Sequence, residues 1–196
     1  MSTGRCGTQW LADVFGDIYA DRLRVEHEPL HDGYCPRRML GAGDPLALGE
    51  KRARPILDHL AGVEKTLETR SYFETGHPVW SSLPYIARRF AGRVRIVHLT
   101  RHPVPTAYSW VTHGVYVPPM LQHLPMKEFL TPFDDGVRFP EYRKEWAGLT
   151  PWEKCLYYWA EVQAHGLACE TALNVPWLRV SYESLFEGDG LGRLVD

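Results

Sequence analysis

The sequence lacks a strong excess of either charge, and it has no long apolar run. Its 196 residues carry a formal net charge of −2, and its pI is about 6.5, so no overall field draws it to nucleic acid or an acidic membrane surface. Any anion must therefore be bound by a local cluster. No apolar run approaches the roughly 18 residues of a membrane span, and no charged-then-apolar leader is present. These absences predict a soluble, cytoplasmic protein with no nucleic-acid partner and no membrane span.

Cysteine is also scarce, and no two cysteines have the spacing of a metal knuckle. Without a CxxC pair, a disulfide framework or zinc knuckle is disfavoured and reduced thiols are expected at Cys6, Cys35, Cys155 and Cys169. His27 and His31 have the i, i+4 spacing of a helical zinc site, but Pro29 between them argues against a helix there. The sequence therefore predicts no bound metal.

What the sequence does contain is an alternation of helical and strand-like segments. From Thr8 onward, apolar residues recur at the steps of an amphipathic helix. Strands are expected at 22–29, 71–76, 94–100 and 175–181, and further helices at 82–92, 151–170 and 182–187. The alternation predicts one α/β domain over residues 1–196, a three-layer sandwich on a central parallel sheet. Its ligand site is expected at the carboxyl ends of the strands.

Other stretches are predicted to be less regular. Residues 30–45 are expected to be irregular, and a helical pattern is expected to be interrupted at Pro55 before it runs to about Leu67. Residues 114–150, rich in proline, glycine and aromatic residues, are expected to form a long loop that shapes an acceptor pocket. An aromatic stripe follows this loop and forms either an acceptor wall or, as we favour, core: Trp152, Tyr157, Tyr158 and Trp159.

A short glycine-containing loop precedes the first predicted helix. The stretch TGRCGTQW comprises Thr3 and then Gly4, Arg5, Cys6, Gly7, Thr8, Gln9 and Trp10. Glycine permits a tight backbone, Thr8 offers a hydroxyl and Arg5 a fixed positive charge. The first N–H groups of a helix lack intrahelical partners and lie at the positive end of its dipole, an arrangement that binds phosphate or sulfate. The loop is therefore predicted to be an anion cradle.

A second anion signal follows the strand predicted at 94–100. In RHPVPTAYS, Arg101 comes directly after the strand, and Ser109 lies about two helical turns beyond a helix start near Pro103. The guanidinium fork and the serine hydroxyl are both hydrogen-bond donors suited to a terminal phosphate. We expect these two side chains to face one anion at the edge of the sheet.

Three segments in register resemble the sulfotransferases that use 3′-phosphoadenosine 5′-phosphosulfate (PAPS). These segments are TGRCGTQW, RHPVPTAYS and RVSYESL, and they extend from about Ser2 to Phe186. The resemblance implies the P-loop-like sulfotransferase fold, PAPS as the co-substrate and no metal. In that family the glycine loop binds the 5′-phosphosulfate and the Arg-to-Ser segment binds the 3′-phosphate.

The resemblance assigns roles to individual loop residues. Arg5 replaces the basic residue, often Lys, that touches the bridging oxygen of the leaving phosphate. Cys6 stands where Ser is common and Gln9 where Thr is common, which alters two hydroxyl contacts. The backbone N–H groups of the loop are available whatever these side chains are. Cys6 is also open to interpretation as a reactive thiol, although a passive substitute for Ser is favoured.

The remaining cofactor residues come from the later segments. Arg101 and Ser109 match the pair that binds the 3′-phosphate, and Tyr182 matches a position near the adenine. Trp10 either lines the base or packs its helix. The resemblance thus places PAPS at the edge of the sheet where the residues alone predict an anion site.

The family uses a histidine or a carboxylate as base, and this sequence offers both. Glu74 and His77 lie in ETGHP, after the strand that precedes the one bearing Arg101. A neutral imidazole accepts protons near pH 7, whereas a carboxylate is a weaker base unless burial raises its pKa. We favour His77 as the catalytic base and keep Glu74 as the alternative.

The resemblance is incomplete at both ends of the domain. In the family a strand inside the sheet precedes the glycine loop, whereas here only Met1, Ser2 and Thr3 precede it. A strand takes about five residues. The chain ends at LGRLVD, where family members usually continue through another helix. The resemblance therefore implies a domain truncated at both ends that lacks most of the first strand.

Three functions stay open from the sequence. The first is transfer of a sulfuryl group from PAPS to a hydroxyl or amine of a small-molecule, carbohydrate or lipid acceptor. The second is a truncated, inactive homologue that binds nucleotide or a partner. The third is a P-loop nucleotide phosphotransferase, disfavoured because the GxxxxGK[ST] signature is absent. Neither the aromatic residues nor His113 and His123 near the long loop select an acceptor, and the oligomeric state is likewise open.

Overall fold

Helices and strands alternate along the chain in the computed structural model, which describes residues 1–30, 34–119 and 129–195. The strands are β1 (Leu23–His27), β2 (Ser71–Thr75), β3 (Ile96–Thr100) and β4 (Trp177–Ser181). The helices are α1 (Thr8–Ile18), α2 (Pro36–Ala42), α3 (Glu50–Thr66), α4 (Leu83–Arg89), α5 (Pro103–Thr112), α6 (Pro151–Ala172), α7 (Tyr182–Glu187) and α8 (Gly190–Val195). Short 3₁₀ helices span Pro45–Leu48, Pro78–Ser82, Pro140–Lys144 and Trp146–Gly148. Among the described residues, no helix is long and apolar enough to cross a membrane.

The strands form two parallel pairs. In the first, Leu23 pairs with Ser71 and the register continues along β1 and β2; in the second, Ile96 pairs with Trp177 at the start of β3 and β4. The α/β class and the parallel pairing are confirmed, whereas the described residues contain two two-stranded sheets in place of the continuous sheet that was expected.

The extreme N-terminus lies along the edge of β3 that faces away from β4. The Met1 ammonium donates to the carbonyl oxygen of Val97, and the Leu99 N–H donates to the carbonyl oxygen of Met1 at 2.9 Å. These two hydrogen bonds have the pattern of a parallel ladder with β3.

Helix α1 covers both strand pairs on one face. Leu11 and Phe15 are buried in a cluster that also contains Leu99 of β3 and Val180 of β4, and the ring of Phe15 lies 4.9 Å from that of Phe73 on β2. Fully burying one such side chain contributes about 1.5–3 kcal/mol to stability. The predicted amphipathic helix is confirmed, and its packing places the preceding loop at the carboxyl ends of the strands.

Helix α6 forms the other main element of the core. It begins with a capping box, in which Thr150 and Glu153 satisfy each other's backbone N–H groups. Tyr157 and Tyr158 are buried with Trp110 of α5, which confirms core packing for the middle of the aromatic stripe. Trp152, by contrast, is 38% exposed at the start of the helix.

Two local predictions were wrong. The stretch 30–45, expected to be irregular, contains α2, which begins at Pro36 and ends before Gly43 in a left-handed conformation; proline at the first position and glycine after the last are typical helix boundaries. Helix α3 contains Pro55 without interruption. Pro55 lies in the second turn, where loss of a single backbone hydrogen bond is tolerated when Ile56 and Leu60 are buried.

Candidate functional site: an anion pocket at the start of the first helix

The loop before α1 has an unusual backbone. Gly4, Arg5 and Gly7 have φ angles of 76°, 58° and 84°. These values lie in the left-handed region, which glycine adopts without steric cost and other residues adopt only with strain. Gly7 forms the N-cap of α1, so the loop turns sharply into the helix. Arg5 and the first residues of α1, Thr8 and Gln9, line one pocket, and this is the place at which the sequence predicts an anion cradle.

Arg5 is joined to both residues of the second predicted anion segment. Its Nε donates to the Ser109 Oγ of α5 at 2.9 Å, and its backbone carbonyl accepts from the Arg101 Nη1 at 2.9 Å. The structure therefore brings Arg5, Arg101 and Ser109 together from three separate elements. Within the described part of the chain, neither arginine forms an ion pair with a carboxylate.

Arg101 is fixed at the carboxyl end of β3 by its surroundings. Its guanidinium carbon lies 4.3 Å from the centre of the Tyr182 ring, a stacking that suits the planar arginine head. The Trp159 Nε1–H of α6 donates to the Arg101 carbonyl at 3.0 Å. Trp159, part of the predicted aromatic stripe, thus holds the backbone of a site residue.

A pocket of about 590 Å³ lies between these elements, a volume typical of small-molecule sites. Its predicted lining residues are Gly4, Arg5, Gly7, Thr8, Gln9, Trp10, His77, Arg101 and Tyr182. Residues that the sequence analysis did not assign to this site also line it: Asp13, His27, Glu28, Trp110 and His113. Ser109 belongs to the site through its hydrogen bond to Arg5.

His77 contacts a carboxylate that sequence reasoning missed. Its Nδ1 lies 2.8 Å from the Glu28 Oε1, and its side chain is only 5% exposed. The ring also meets Trp110 edge-on, at 5.6 Å between centroids. Glu28 directly follows β1, so its place at the carboxyl end of a strand was a signal that the sequence carried.

Glu74, the alternative base, lies outside this pocket. Its Oε2 is 2.7 Å from the His59 Nε2 and accepts from the Tyr72 hydroxyl at 3.1 Å. Successive side chains of a strand point to opposite faces, which separates Glu74 from the residues that follow β2. The structure therefore brings His77, and not Glu74, to the anion pocket.

Cys6 does not line the pocket either. It is fully buried, its Sγ lies 3.3 Å from the Thr3 Oγ1, and it donates to the Gly4 carbonyl at 3.1 Å. Burial raises the pKa of the Cys6 thiol, which opposes the thiolate form that reacts. Its side chain packs under the loop and contacts Thr3 and Gly4 within it.

Aromatic side chains form one wall of the pocket. Tyr182 and Trp10 both line it, and both contact the ring of Phe186, at 4.7 Å and 4.8 Å between centroids. Gln9, at the mouth, donates to the Asp13 Oδ1 at 2.9 Å. The Trp10 ring thus both lines the pocket and packs against Phe186.

Two sequence expectations fall partly on residues that the structure does not describe. His31, half of the candidate zinc pair, and His123 lie outside the described residues. Of the predicted acceptor loop, residues 114–119 and 129–150 are described, and none of these lines the anion pocket. In the described residues, no group of three or more His, Cys, Asp or Glu side chains has the arrangement of a metal site.

Comparisons with known proteins leave the pocket as the source of functional information. No protein-family model, no curated protein and no solved structure matches this chain. A functional conclusion therefore depends on the residues that line the pocket and on their contacts.

Proposed function

We propose that this chain transfers a sulfuryl group from PAPS to a hydroxyl or amine of an acceptor molecule. The observation that carries the proposal is the convergence of Arg5, Arg101 and the N-terminus of α1 on one pocket that also contains His77. Cationic groups and helix N–H donors suit a donor that bears several anionic groups. A buried imidazole beside them suits the removal of an acceptor proton.

The arginine and aromatic side chains of the pocket fit PAPS in charge and in shape. Arg5 and Arg101 have no carboxylate ion pair within the described residues, so their N–H donors are not taken up by a protein carboxylate. Tyr182 and Trp10 offer aromatic faces in the same pocket, and a purine stacks well on such faces. Arg5 is assigned to the 5′-phosphate, and Arg101 to the 3′-phosphate.

In the proposed reaction, PAPS supplies an activated sulfuryl group. The acceptor oxygen or nitrogen forms a bond to sulfur as the bond from sulfur to the 5′-phosphate oxygen breaks, and the acceptor proton passes to His77. Glu28 accepts a hydrogen bond from the Nδ1–H of His77, and in this tautomer Nε2 carries the lone pair that accepts the proton. Arg5 and the helix N-terminus stabilise the negative charge that remains on the leaving phosphate.

Ser109 also orients the side chain of Arg5 in the pocket. Because its hydroxyl accepts from the Arg5 Nε, it fixes the direction of a guanidinium that is itself exposed. The proposed contact of Ser109 with the 3′-phosphate therefore comes with a contact that orders the 5′-phosphate site. Loss of this serine is expected to loosen both.

Calorimetric titration with PAP, the product nucleotide, tests the binding half of the proposal. We expect a micromolar dissociation constant for the original chain and binding at least about tenfold weaker for Arg101→Ala, since a hydrogen-bonded charge pair contributes about 1.5–3 kcal/mol. Arg179→Ala is the matched control, because Arg179 is a half-exposed arginine of β4 that pairs with Glu170 outside the pocket. Thermal unfolding of each variant confirms that it is folded.

The alternative functions are distinguished by the same samples. Binding of ATP with Mg²⁺ in preference to PAP would indicate a phosphotransferase and contradict the proposal. Binding of PAP without release of PAP from PAPS, across a panel of carbohydrate, phenol, lipid and peptide acceptors, would instead indicate a nucleotide-binding protein without catalysis. Release of PAP that depends on one acceptor class supports sulfuryl transfer and identifies the acceptor.

A further inference from the structure

Trp110 of α5 has a buried hydrogen-bond donor that no described group of the protein uses. The residue is 5% exposed, and among the described residues its Nε1–H has no hydrogen-bond partner. A buried tryptophan N–H normally has an acceptor, because an unpaired buried donor destabilises the folded state. The donor is thus available to an acceptor that a ligand brings.

The unpaired N–H lies on the edge of the indole that meets the glycine loop. A Cβ added at Gly4 would lie 2.7 Å from the Trp110 Cζ2 and 3.2 Å from its Cη2. Nε1 and Cζ2 are both bonded to the indole Cε2, so Nε1 belongs to this same edge. Gly4 and Trp110 both line the anion pocket. The donor is therefore at the base of the pocket, beside the loop.

Trp110 also lies between the two ends of the proposed reaction. The centre of its ring is 5.9 Å from the Arg5 guanidinium carbon and 5.6 Å from the centre of the His77 ring. Arg5 is assigned to the leaving 5′-phosphate, and His77 to the acceptor proton. The sulfuryl group is bonded to that phosphate and passes to the acceptor, so it has to occupy the space between these two residues. Trp110 contacts both of them.

Further aromatic neighbours fix the indole in place. The Phe129 ring lies 4.9 Å from the Trp110 ring between centroids, and the Tyr158 ring of α6 lies 6.4 Å away, both edge-on. Phe129 and Tyr158 are fully buried. A side chain that is held by packing keeps its hydrogen-bond donor in one direction, which is what precise placement of a reacting group requires.

We propose that the Trp110 Nε1–H donates a hydrogen bond to a non-bridging oxygen of the sulfuryl group of PAPS, which makes Trp110 a further catalytic residue. The inference rests on the proposed function. Trp110 keeps its proton throughout, because an indole N–H is a donor only. The bond from sulfur to the phosphate oxygen breaks, the bond from sulfur to the acceptor forms, and the acceptor proton passes to His77. The hydrogen bond holds sulfur in line between the leaving and the attacking atoms.

This contact distinguishes PAPS from PAP. PAP lacks the sulfuryl group, so it offers no such acceptor to the Trp110 N–H. Its affinity is expected to depend on the residues assigned to the phosphates and the purine: Arg5, Arg101, Tyr182 and Trp10. Loss of the indole N–H is therefore expected to affect sulfuryl transfer and to leave PAP binding unaffected.

A matched pair of variants tests the role of the N–H. Trp110→Phe removes the N–H, keeps an aromatic ring, and is expected to lower the single-turnover rate of sulfuryl transfer about 10- to 100-fold, with PAP affinity changed by no more than about twofold. Trp80→Phe is the control. Trp80 also has a buried Nε1–H without a partner among the described residues, and it belongs to the same core cluster but does not line the pocket. We expect it to transfer at the original rate, and thermal unfolding confirms that each variant is folded.

Nuclear magnetic resonance observes the hydrogen bond in the original chain. With ¹⁵N-labelled tryptophan, the indole N–H signal of Trp110 is identified through the contact of its ring with the Gly4 protons. We expect PAPS, added without an acceptor, to move this signal downfield, and PAP to move it much less. The indole signal of Trp80 in the same spectra is expected to stay unchanged with either nucleotide.

Equal transfer rates for the two folded variants would overturn the role of Trp110 and leave PAP binding and sulfuryl transfer standing. An indole signal of Trp110 that responds equally to PAPS and PAP would overturn it as well. If the folded original chain does not bind PAP, the proposed function fails and this assignment fails with it. If Trp110→Phe does not fold, or if no acceptor supports transfer, the spectra of the original chain decide the assignment.

Discussion

His77 and Glu28 form a partly buried histidine–carboxylate pair, in which the His77 Nδ1 lies 2.8 Å from the Glu28 Oε1. The pair joins the segment after β2 to the segment after β1, two adjacent parallel strands. The backbones at this point are close, since a Cβ added at Gly76 would lie 2.4 Å from the Glu28 Cγ. The imidazole thus contacts a carboxylate that a neighbouring strand end supplies.

The first prediction concerns this pair. His77→Gln is expected to lower the rate of sulfuryl transfer by about 100-fold or more through loss of the base, and Glu28→Gln by about 10- to 100-fold through loss of its orientation. PAP affinity is expected to change little in either variant, because neither residue is assigned to a phosphate. Single-turnover rates and PAP titrations measure the two quantities separately.

Glu74→Gln is the control for the base. Glu74 contacts His59 and Tyr72 outside the pocket, so we expect this variant to transfer the sulfuryl group at nearly the original rate. A rate as low as that of His77→Gln, in a folded protein with normal PAP affinity, would reverse the assignment of the base to His77.

The second prediction concerns the glycine loop. At Gly4 the φ angle is +76°, and an added Cβ would lie 2.7 Å from the Trp110 Cζ2. Gly4→Ala is therefore expected to destabilise the protein by about 2 kcal/mol or more and to weaken PAP binding. Gly16→Ala is the control, since no atom lies within 4 Å of its added Cβ and alanine is expected to stabilise α1 by up to about 1 kcal/mol. Urea unfolding measures both changes, and equal stabilities for the two variants would contradict the prediction.

The third prediction concerns the contact between Arg5 and Ser109. Ser109→Ala removes the acceptor of the Arg5 Nε–H and is expected to weaken PAP binding about three- to tenfold. Thr171→Ala removes a hydroxyl that donates to the Leu167 carbonyl on α6, outside the pocket, and is expected to leave PAP affinity unchanged. Calorimetry with PAP measures both affinities, and equal values for the two variants would contradict a binding role for Ser109.

The fourth prediction concerns stability at acid pH. Burial, and secondarily the positive Met1 ammonium, lowers the pKa of His98 from 6.5 to about 4. His98 is 1% exposed, and its Nε2 lies 2.8 Å from the Gln163 Oε1. Between pH 6.5 and 4 the unfolded chain binds a proton that the folded chain excludes, so the free energy of unfolding falls as pH decreases through this interval.

The expected loss from His98 is on the order of 3 kcal/mol between pH 6.5 and 4. His98→Gln retains a side-chain N–H for Gln163 and removes the titrating group, so its unfolding free energy is expected to decrease less over the same interval. Urea unfolding at several pH values gives the two slopes. Equal slopes for the original chain and the variant would show that His98 does not contribute to acid destabilisation.

Periodicity predicted the elements that are held by local patterns and strong boundaries. Helix α6 has its capping box at Thr150, and β3 lies in a short, bounded run that is rich in β-branched residues, so both lie within two residues of the expected bounds. Helix α2 was missed because its seven residues are too few to show a period, although Pro36 and Gly43 mark its ends. The division of the sheet into two strand pairs depends on which strand edges meet in the folded chain. The sequence of a single segment does not encode this pairing.

The anion pocket was predictable to the extent that its residues follow strands or begin helices. Arg5 and Arg101 were found in this way, and the structure brings them together. Glu28 was missed because the first strand was predicted to extend to residue 29, which hid its position at the strand end, and because its partner His77 lies 49 residues away. Cys6 and Glu74 were included because they are near the loop or the base in sequence, whereas side-chain direction places them elsewhere.

The pairing of β3 with β4 has a consequence for synthesis on the ribosome. Thr100 and Val180 are joined by a hydrogen bond across 80 residues, whereas both strands of the first pair are complete by Thr75. At about 5–20 residues per second, β3 waits roughly 4–16 s for the strand that covers one of its edges. During that interval a newly made edge rich in apolar residues is exposed to other chains, so the translation rate between β3 and β4 is expected to influence the yield of folded protein.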